Sequence, residues 1–167
     1  MSSRKYSVLG GLPYTDPGVR ERSLAVRDGV FDQADIARLA DALPERTVLV
    51  PVPSRTGSPT WSFKMARLLA AQARALGKQA YVRPLVAGAQ RESLHEAKHS
   101  GRSTAGILLG FHFVHPVHDA RELDNLRHLG CRVVVVDNVV DTGRTFNEMK
   151  AVVGDADICA IAYTGNH

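Results

Sequence analysis

Val133-Val134-Val135-Val136-Asp137-Asn138-Val139-Val140-Asp141-Thr142-Gly143-Arg144-Thr145 is the stretch whose reading decides the fold. Four consecutive β-branched residues predict a strand buried on both faces, as in the parallel sheet of an α/β domain. The strand ends on an acid and an amide. A 141–145 loop follows, and Thr145-Phe146-Asn147-Glu148 has the Thr-x-x-Glu spacing of a capping box that opens a helix. Acid and amide side chains at a strand's carboxyl end, beside a Gly turn and a helix N-terminus, suit a sugar phosphate. The helix end offers N–H groups and partial positive charge to the phosphate, and Asp137 and Asn138 are placed to meet ribose hydroxyls.

A Thr-Gly turn alone is common loop chemistry. The order is more specific: a hydrophobic strand, two polar residues, two apolar residues, then Asp-Thr-Gly-x-Thr. It resembles the PRPP-binding motif of the type I phosphoribosyltransferases, and the Asp at the loop's first position resembles the 6-oxopurine enzymes. This chain departs from the family at Asn138, where a second acid is usual. An amide keeps an acceptor and adds a donor, so binding tolerates the change better than any role that needs negative charge.

Outward from this motif, 167 residues suit one domain large enough to bury its own core. No apolar run approaches the roughly 18 residues of a membrane span, and the N-terminal residues show no secretory pattern, so a cytoplasmic protein is expected. Cys131 and Cys159 read as small buried hydrophobes in a reducing compartment. The net charge of +4 is scattered, without a basic tract or interleaved aromatics. It points to an anionic small molecule and to neither a specific nucleic acid nor a membrane.

Residues 5–28 read as an irregular flanking segment with one or two short antiparallel strands, and 1–30 as the flanking or hood segment. The pattern predicts a helix over 32–43, a buried strand over 47–52, and a helix from Ser58-Pro59, as N-cap and N1 proline, to Leu76. Trp61 and Met65 are expected in the core. Strands are predicted over 79–83, 107–114, 132–137 and 157–163, with a helix over 145–153. Alternating strands and helices give a central, mostly parallel sheet flanked by helices, a Rossmann-like fold. Its ligand belongs outside the carboxyl ends of the strands.

Two more segments extend the resemblance over roughly residues 47–163. Val50-Pro51-Val52-Pro53-Ser54-Arg55-Thr56-Gly57 ends a strand in a loop of small residues, where backbone N–H groups can crowd an anion; by itself it also suits an ordinary loop. In this context it is similar to the family's pyrophosphate loop, Ser54, Arg55, Thr56 and Gly57, particularly in ComF-like members. The resemblance implies a cis or strained peptide bond there. Residues 85–106 show no stable pattern and occupy the place of the flexible catalytic loop. Gln90, Leu94, Arg102 and Gly110-Phe111 loosely follow the ComF-like pattern. Arg91, Lys98 and Arg102 are the cations able to fold over a leaving pyrophosphate, or equally to solvate a mobile loop.

The resemblance implies transfer of the phosphoribosyl group of PRPP to a nucleobase-like nitrogen, as in purine salvage and nucleotide metabolism. Asp137, Asn138, Asp141, Thr142, Gly143, Arg144 and Thr145 would hold PRPP. Asp141, Arg102 and Lys98 are the catalytic candidates, with Asp141 relaying the acceptor's proton. Mg²⁺ is the implied cofactor, met by Asp137 through PRPP. A hood reduced to short terminal segments leaves the acceptor unnamed, and a homodimer is compatible with the family. The alternative is a PRPP- or nucleotide-binding regulator of the same fold without catalysis.

His95-Glu96-Ala97-Lys98-His99 also matches the H-E-x-x-H signature of zinc hydrolases. Its surroundings argue against that reading. Lys98 puts a cation between the ligands, and Gly101 ends any helix within a turn. His112, His115 and His118 read as strand-and-turn residues around Pro116.

Overall fold

The computed structural model describes residues 3–13 and 15–164, apart from the side chains of His95 and His99. The apolar runs form parallel strands as anticipated. β2 (Arg46–Pro51) and β6 (Arg132–Val136) lie side by side at the centre, with β3 (Gln79–Val82) beyond β2 and β8 (Asp157–Tyr163) beyond β6. β1 (Lys5–Gly10) closes the far edge against β8, and the short β7 (Val139–Val140) also pairs with β8. Every pairing in this sheet is parallel. The protein is therefore α/β, with a mostly parallel central sheet flanked by helices.

Alternation along the strands divides the core into two faces. Val48, Val50, Val133, Val135, Ile158 and Ala160 point to the face covered by α5 (Pro116–His128) and α6 (Arg144–Val153). Leu49, Val134, Val136, Cys159 and Ile161 point to the opposite face, under α2 (Gln33–Ala42) and α3 (Trp61–Ala75). Burying each of the Val, Leu and Ile side chains contributes about 1.5–3 kcal/mol, which is why the Val run must sit mid-sheet. Cys131 and Cys159 are buried and unpaired, and burial pushes the Cys159 thiol up to about 12.

Chain order reverses between β2 and β6: from β2 the chain moves outward to β3, then returns to β6 on the other side. In the register Pro51 stands opposite Val136. The loops that leave these two strands therefore start as neighbours, at the topological switch point where α/β sheets open a crevice.

Several expectations need correction. Residues 17–27 form a helix, α1 (Pro17–Arg27), not an irregular segment. Asp16 caps it by accepting from Gly18 N and Val19 N, and Pro17 occupies the first turn. β1 pairs parallel, not antiparallel. α5 was not anticipated at all. α3 starts at Trp61 with Thr60 as N-cap, so Ser58-Pro59 belongs to the loop. Of the strand expected over 107–114 only β5 (His112–Phe113) forms, in an antiparallel ribbon with β4 (Val86–Ala87) apart from the main sheet. The 85–106 segment is not patternless: it contains β4 and α4 (Leu94–His99). The Thr145–Glu148 capping box does not form. Gly143, left-handed at φ 81°, is the N-cap of α6, and Glu148 pairs with Arg144 at 3.2 Å.

Candidate functional site

A cleft of about 530 Å³ opens at the switch point. Its floor is the 137–146 stretch, and one wall is the 52–56 loop with Thr60 and Trp61 of α3. Leu24, Arg27 and Asp28 at the end of α1 form a second wall, and Arg91, Ser93, Leu94, Glu96, Lys98 and Thr104 cover it. Asp137, Asn138, Asp141, Thr142, Gly143, Arg144, Thr145, Ser54, Arg55, Thr56 and Lys98 are thus brought together as the sequence suggested. Arg102 is not: it is exposed, outside the lining, and ion-paired with Glu92. Gly57 lies buried behind the wall.

The floor is built locally. β6 ends at Val136, and Asp137 N donates to Cys159 O at 3.0 Å, holding the first residue of the loop to β8. The buried Asp137 carboxylate accepts Asn138 N–H at 2.8 Å. Burial pushes its pKa up to about 7; the Asn138 hydrogen bond and the charges of Arg91 and Arg27 offset only part of that cost. Gly143 turns the chain into α6, and Thr142 Oγ1 accepts Arg144 N at 3.3 Å. The N-terminal turn of α6 lines the cleft, which is the arrangement that favours a phosphate.

The Asn138 side chain turns to α1: its Nδ2 donates to Ser23 O at 3.3 Å, and its Oδ1 accepts Val139 N–H at 2.9 Å. Asp141 accepts from Lys98 Nζ through one carboxylate oxygen and from Thr164 Oγ1 at 2.8 Å through the other. Arg144 reaches across to the carbonyls of Thr104 (2.8 Å) and Ile107. Glu96 faces Arg55 at 3.6 Å and Arg27 at 3.8 Å. Two sets of ion pairs, Lys98 with Asp141 and Glu96 with Arg55 and Arg27, together with the Arg144 bonds to backbone carbonyls, thus tie the 94–107 stretch over the cleft.

The 53–57 loop is held from behind rather than open to an anion. Ser54 N donates to Ser58 O at 3.0 Å and Gly57 N to Ser54 O at 2.9 Å. Arg91 Nη1 donates to Ser54 O (3.0 Å) and Ala89 O (3.2 Å), and Nη2 to Pro53 O (3.3 Å). Its guanidinium lies 5.4 Å from the Phe111 ring centroid, and burial lowers its pKa against the pull of Asp137. Backbone bonds Gly88 N–Gly57 O and Arg91 N–Arg55 O, both 2.9 Å, join the covering segment to this loop. There is no cis peptide bond among the described residues, and Gly57, at φ 91°, carries the loop's unusual conformation.

Trp61, expected in the core, is half-buried: it packs against the core that holds Met65 and also lines the cleft, whereas Met65 is fully buried as expected. Sequence reasoning missed Leu24, Arg27 and Asp28, because it missed their helix. The Asp16-Pro17 pair, an N-cap followed by an N1 proline, was the signal that could have found them.

Burial without full compensation makes Asp137 a carboxylate suited to a neighbouring cation such as Mg²⁺, whereas Asp141 and Glu96 are already ion-paired. The H-E-x-x-H imidazoles, His95 and His99, lie outside the described side chains, and Glu96 between them is ion-paired to two arginines. On α5, His118, Asp119 and Glu122 stand within 4.8 Å of one another. Each acid there already has a structural partner: Asp119 accepts His115 N–H at 2.7 Å, and Glu122 pairs with Arg83 at 2.5 Å. No helix among the described residues is long and apolar enough to cross a membrane. Comparison with protein-family models and with curated proteins finds no match to this chain.

Proposed function

We propose that this protein is a phosphoribosyltransferase of the type I kind, moving the 5-phosphoribosyl group of PRPP to a nucleobase-like nitrogen and releasing pyrophosphate. The observation that carries the reading is the pairing of the 137–145 loop with the 53–57 loop across one cleft at the switch point. A stretch that resembles a sugar-phosphate motif and a second loop that carries Arg55 meet there, beneath a cover that brings Arg91 and Lys98 to the cleft.

In this reading the N-terminal turn of α6, with Thr142 and Thr145, anchors the 5′-phosphate. Asp137 faces the ribose, and Arg55 with Lys98 draws the pyrophosphate. The nitrogen's lone pair forms the new bond to C1 while the C1–O bond breaks and its electrons leave with pyrophosphate. The nitrogen's proton passes to Asp141, which must release Lys98 or Thr164 to take it. Asp137 is the residue that would meet Mg²⁺, and the ion would supply positive charge to offset that of the departing pyrophosphate. The 94–107 cover excludes water and so protects PRPP from hydrolysis.

A second reading is a PRPP- or nucleotide-binding regulator. It is favoured by the engagement of Asp141 with Lys98 and Thr164. Pyrophosphate release from PRPP, measured across a panel of nucleobases with Mg²⁺, separates the two. Release with at least one base, cut about a hundredfold or more by Asp141→Ala, supports the enzyme. Binding of PRPP without release on any base supports the regulator.

A further inference from the structure

We propose that Asn138 is a positioning residue, whose side-chain amide pins α1 through the Ser23 carbonyl and thereby fixes the α1 wall of the cleft. The inference deepens the proposed function at the same site, and its first readout needs no ligand. Asn138 is buried, and its two polar atoms meet partners of opposite kind. Nδ2 faces a carbonyl oxygen at 3.3 Å, and Oδ1 faces a backbone N–H at 2.9 Å. These partners allow one orientation: a flipped amide would set oxygen against oxygen and N–H against N–H. A carboxylate would keep the Val139 contact but press a charged oxygen on the Ser23 carbonyl where water is excluded.

The helix so held matters to the cleft. Leu24 and Arg27, one and four residues beyond Ser23, line it, and Arg27 meets Glu96 of the cover at 3.8 Å. Arg27 is also one of the two cations that act on Asp137. The bond from Asn138 therefore links the floor of the site to a wall that carries charge toward both floor and cover. Ser23 offers only its backbone to this bond, and its own hydroxyl is buried without a hydrogen-bond partner.

The test compares Asn138→Asp, Asn138→Ala and Ser23→Ala with the unmodified protein, by hydrogen exchange of the α1 amides and by calorimetric titration of PRPP with Mg²⁺. Both Asn138 variants should exchange about tenfold or more faster in α1, while Ser23→Ala keeps protection because it keeps the carbonyl. PRPP affinity should fall in Asn138→Asp. In Asn138→Ala the loss should not add to that of Arg27→Ala, since both act through one wall.

Unchanged α1 exchange in both Asn138 variants would overturn the proposal. So would tighter PRPP binding by Asn138→Asp, which marks a ribose or metal ligand. If Asn138→Asp does not fold, Asn138→Ala with Ser23→Ala decides by the same exchange readout. If the unmodified protein binds no PRPP, the functional reading fails, and α1 exchange still judges the role of Asn138.

Discussion

Two loops leave neighbouring strands of the sheet, and each turns on one left-handed glycine, yet they are built in opposite ways. At Gly143 an added Cβ would meet nothing within 4 Å. That loop is shaped by its own residues, a strand end and a helix start, and stands open to the cleft. At Gly57 an added Cβ would lie 2.6 Å from Gly88 O. The 53–57 loop is shaped from outside, by the Gly88 and Arg91 backbone and the Arg91 guanidinium. The first loop can present amides to an anion, whereas in the second the Ser54 and Gly57 amides are taken within the loop and the carbonyls of Pro53, Ser54, Arg55 and Gly57 are held by Arg91 and Gly88.

The largest effect should come from closing the gap at the outside-built loop. Gly57→Ala combines a disfavoured φ with a backbone clash and should cost about 3 kcal/mol or more in urea unfolding. A loss below 1 kcal/mol, on that same order-of-magnitude scale, would mean that the loop does not need its neighbour. Arg91→Ala removes the charged donor beneath three carbonyls and should cost about 2–3 kcal/mol. Arg91→Lys should not restore it, since an ammonium lacks the planar fork. Equal stability of Arg91→Lys and the unmodified protein would contradict this account of the loop.

Asp137, at the root of the locally built loop, tests the floor by pH. Its folded pKa, raised to about 7 by burial, lies above the ordinary carboxyl value. The folded state therefore holds the proton that the unfolded chain releases. Its stabilising contribution is complete below about pH 4 and is lost as pH rises through 7. Asp137→Asn should flatten that slope in thermal melts between these limits; a retained slope would assign it to other groups. The smallest effect is expected at the open glycine. Gly143→Ala pays only the left-handed conformation, about 1 kcal/mol, and a loss as large as that of Gly57→Ala would erase the contrast.

The same contrast explains what was legible. β6, β2 and the 141–145 turn announce themselves because burial on both faces and a local turn each leave a pattern in consecutive residues. α1 and α5 did not, and both begin with a proline, Pro17 and Pro116, that reads as a turn until its helix is seen. Their apolar faces are thin: Val19, Ser23 and Val26 are buried in α1, and Asp119, Leu123 and Leu126 in α5. Polar residues at buried positions hide the helical period. In the site, the floor residues were legible from the motif. Arg27, Leu24 and the clasp of Lys98 on Asp141 were not, because they depend on contacts between residues far apart in the chain.

Calorimetric titration of PRPP with Mg²⁺ into the unmodified protein, Asp137→Ala and Thr142→Ala tests the central claim most directly. The account predicts saturable binding to the unmodified protein and its loss in both variants, with Asp141→Ala still binding. No binding to the unmodified protein, or undiminished binding in both Asp137→Ala and Thr142→Ala, would contradict it.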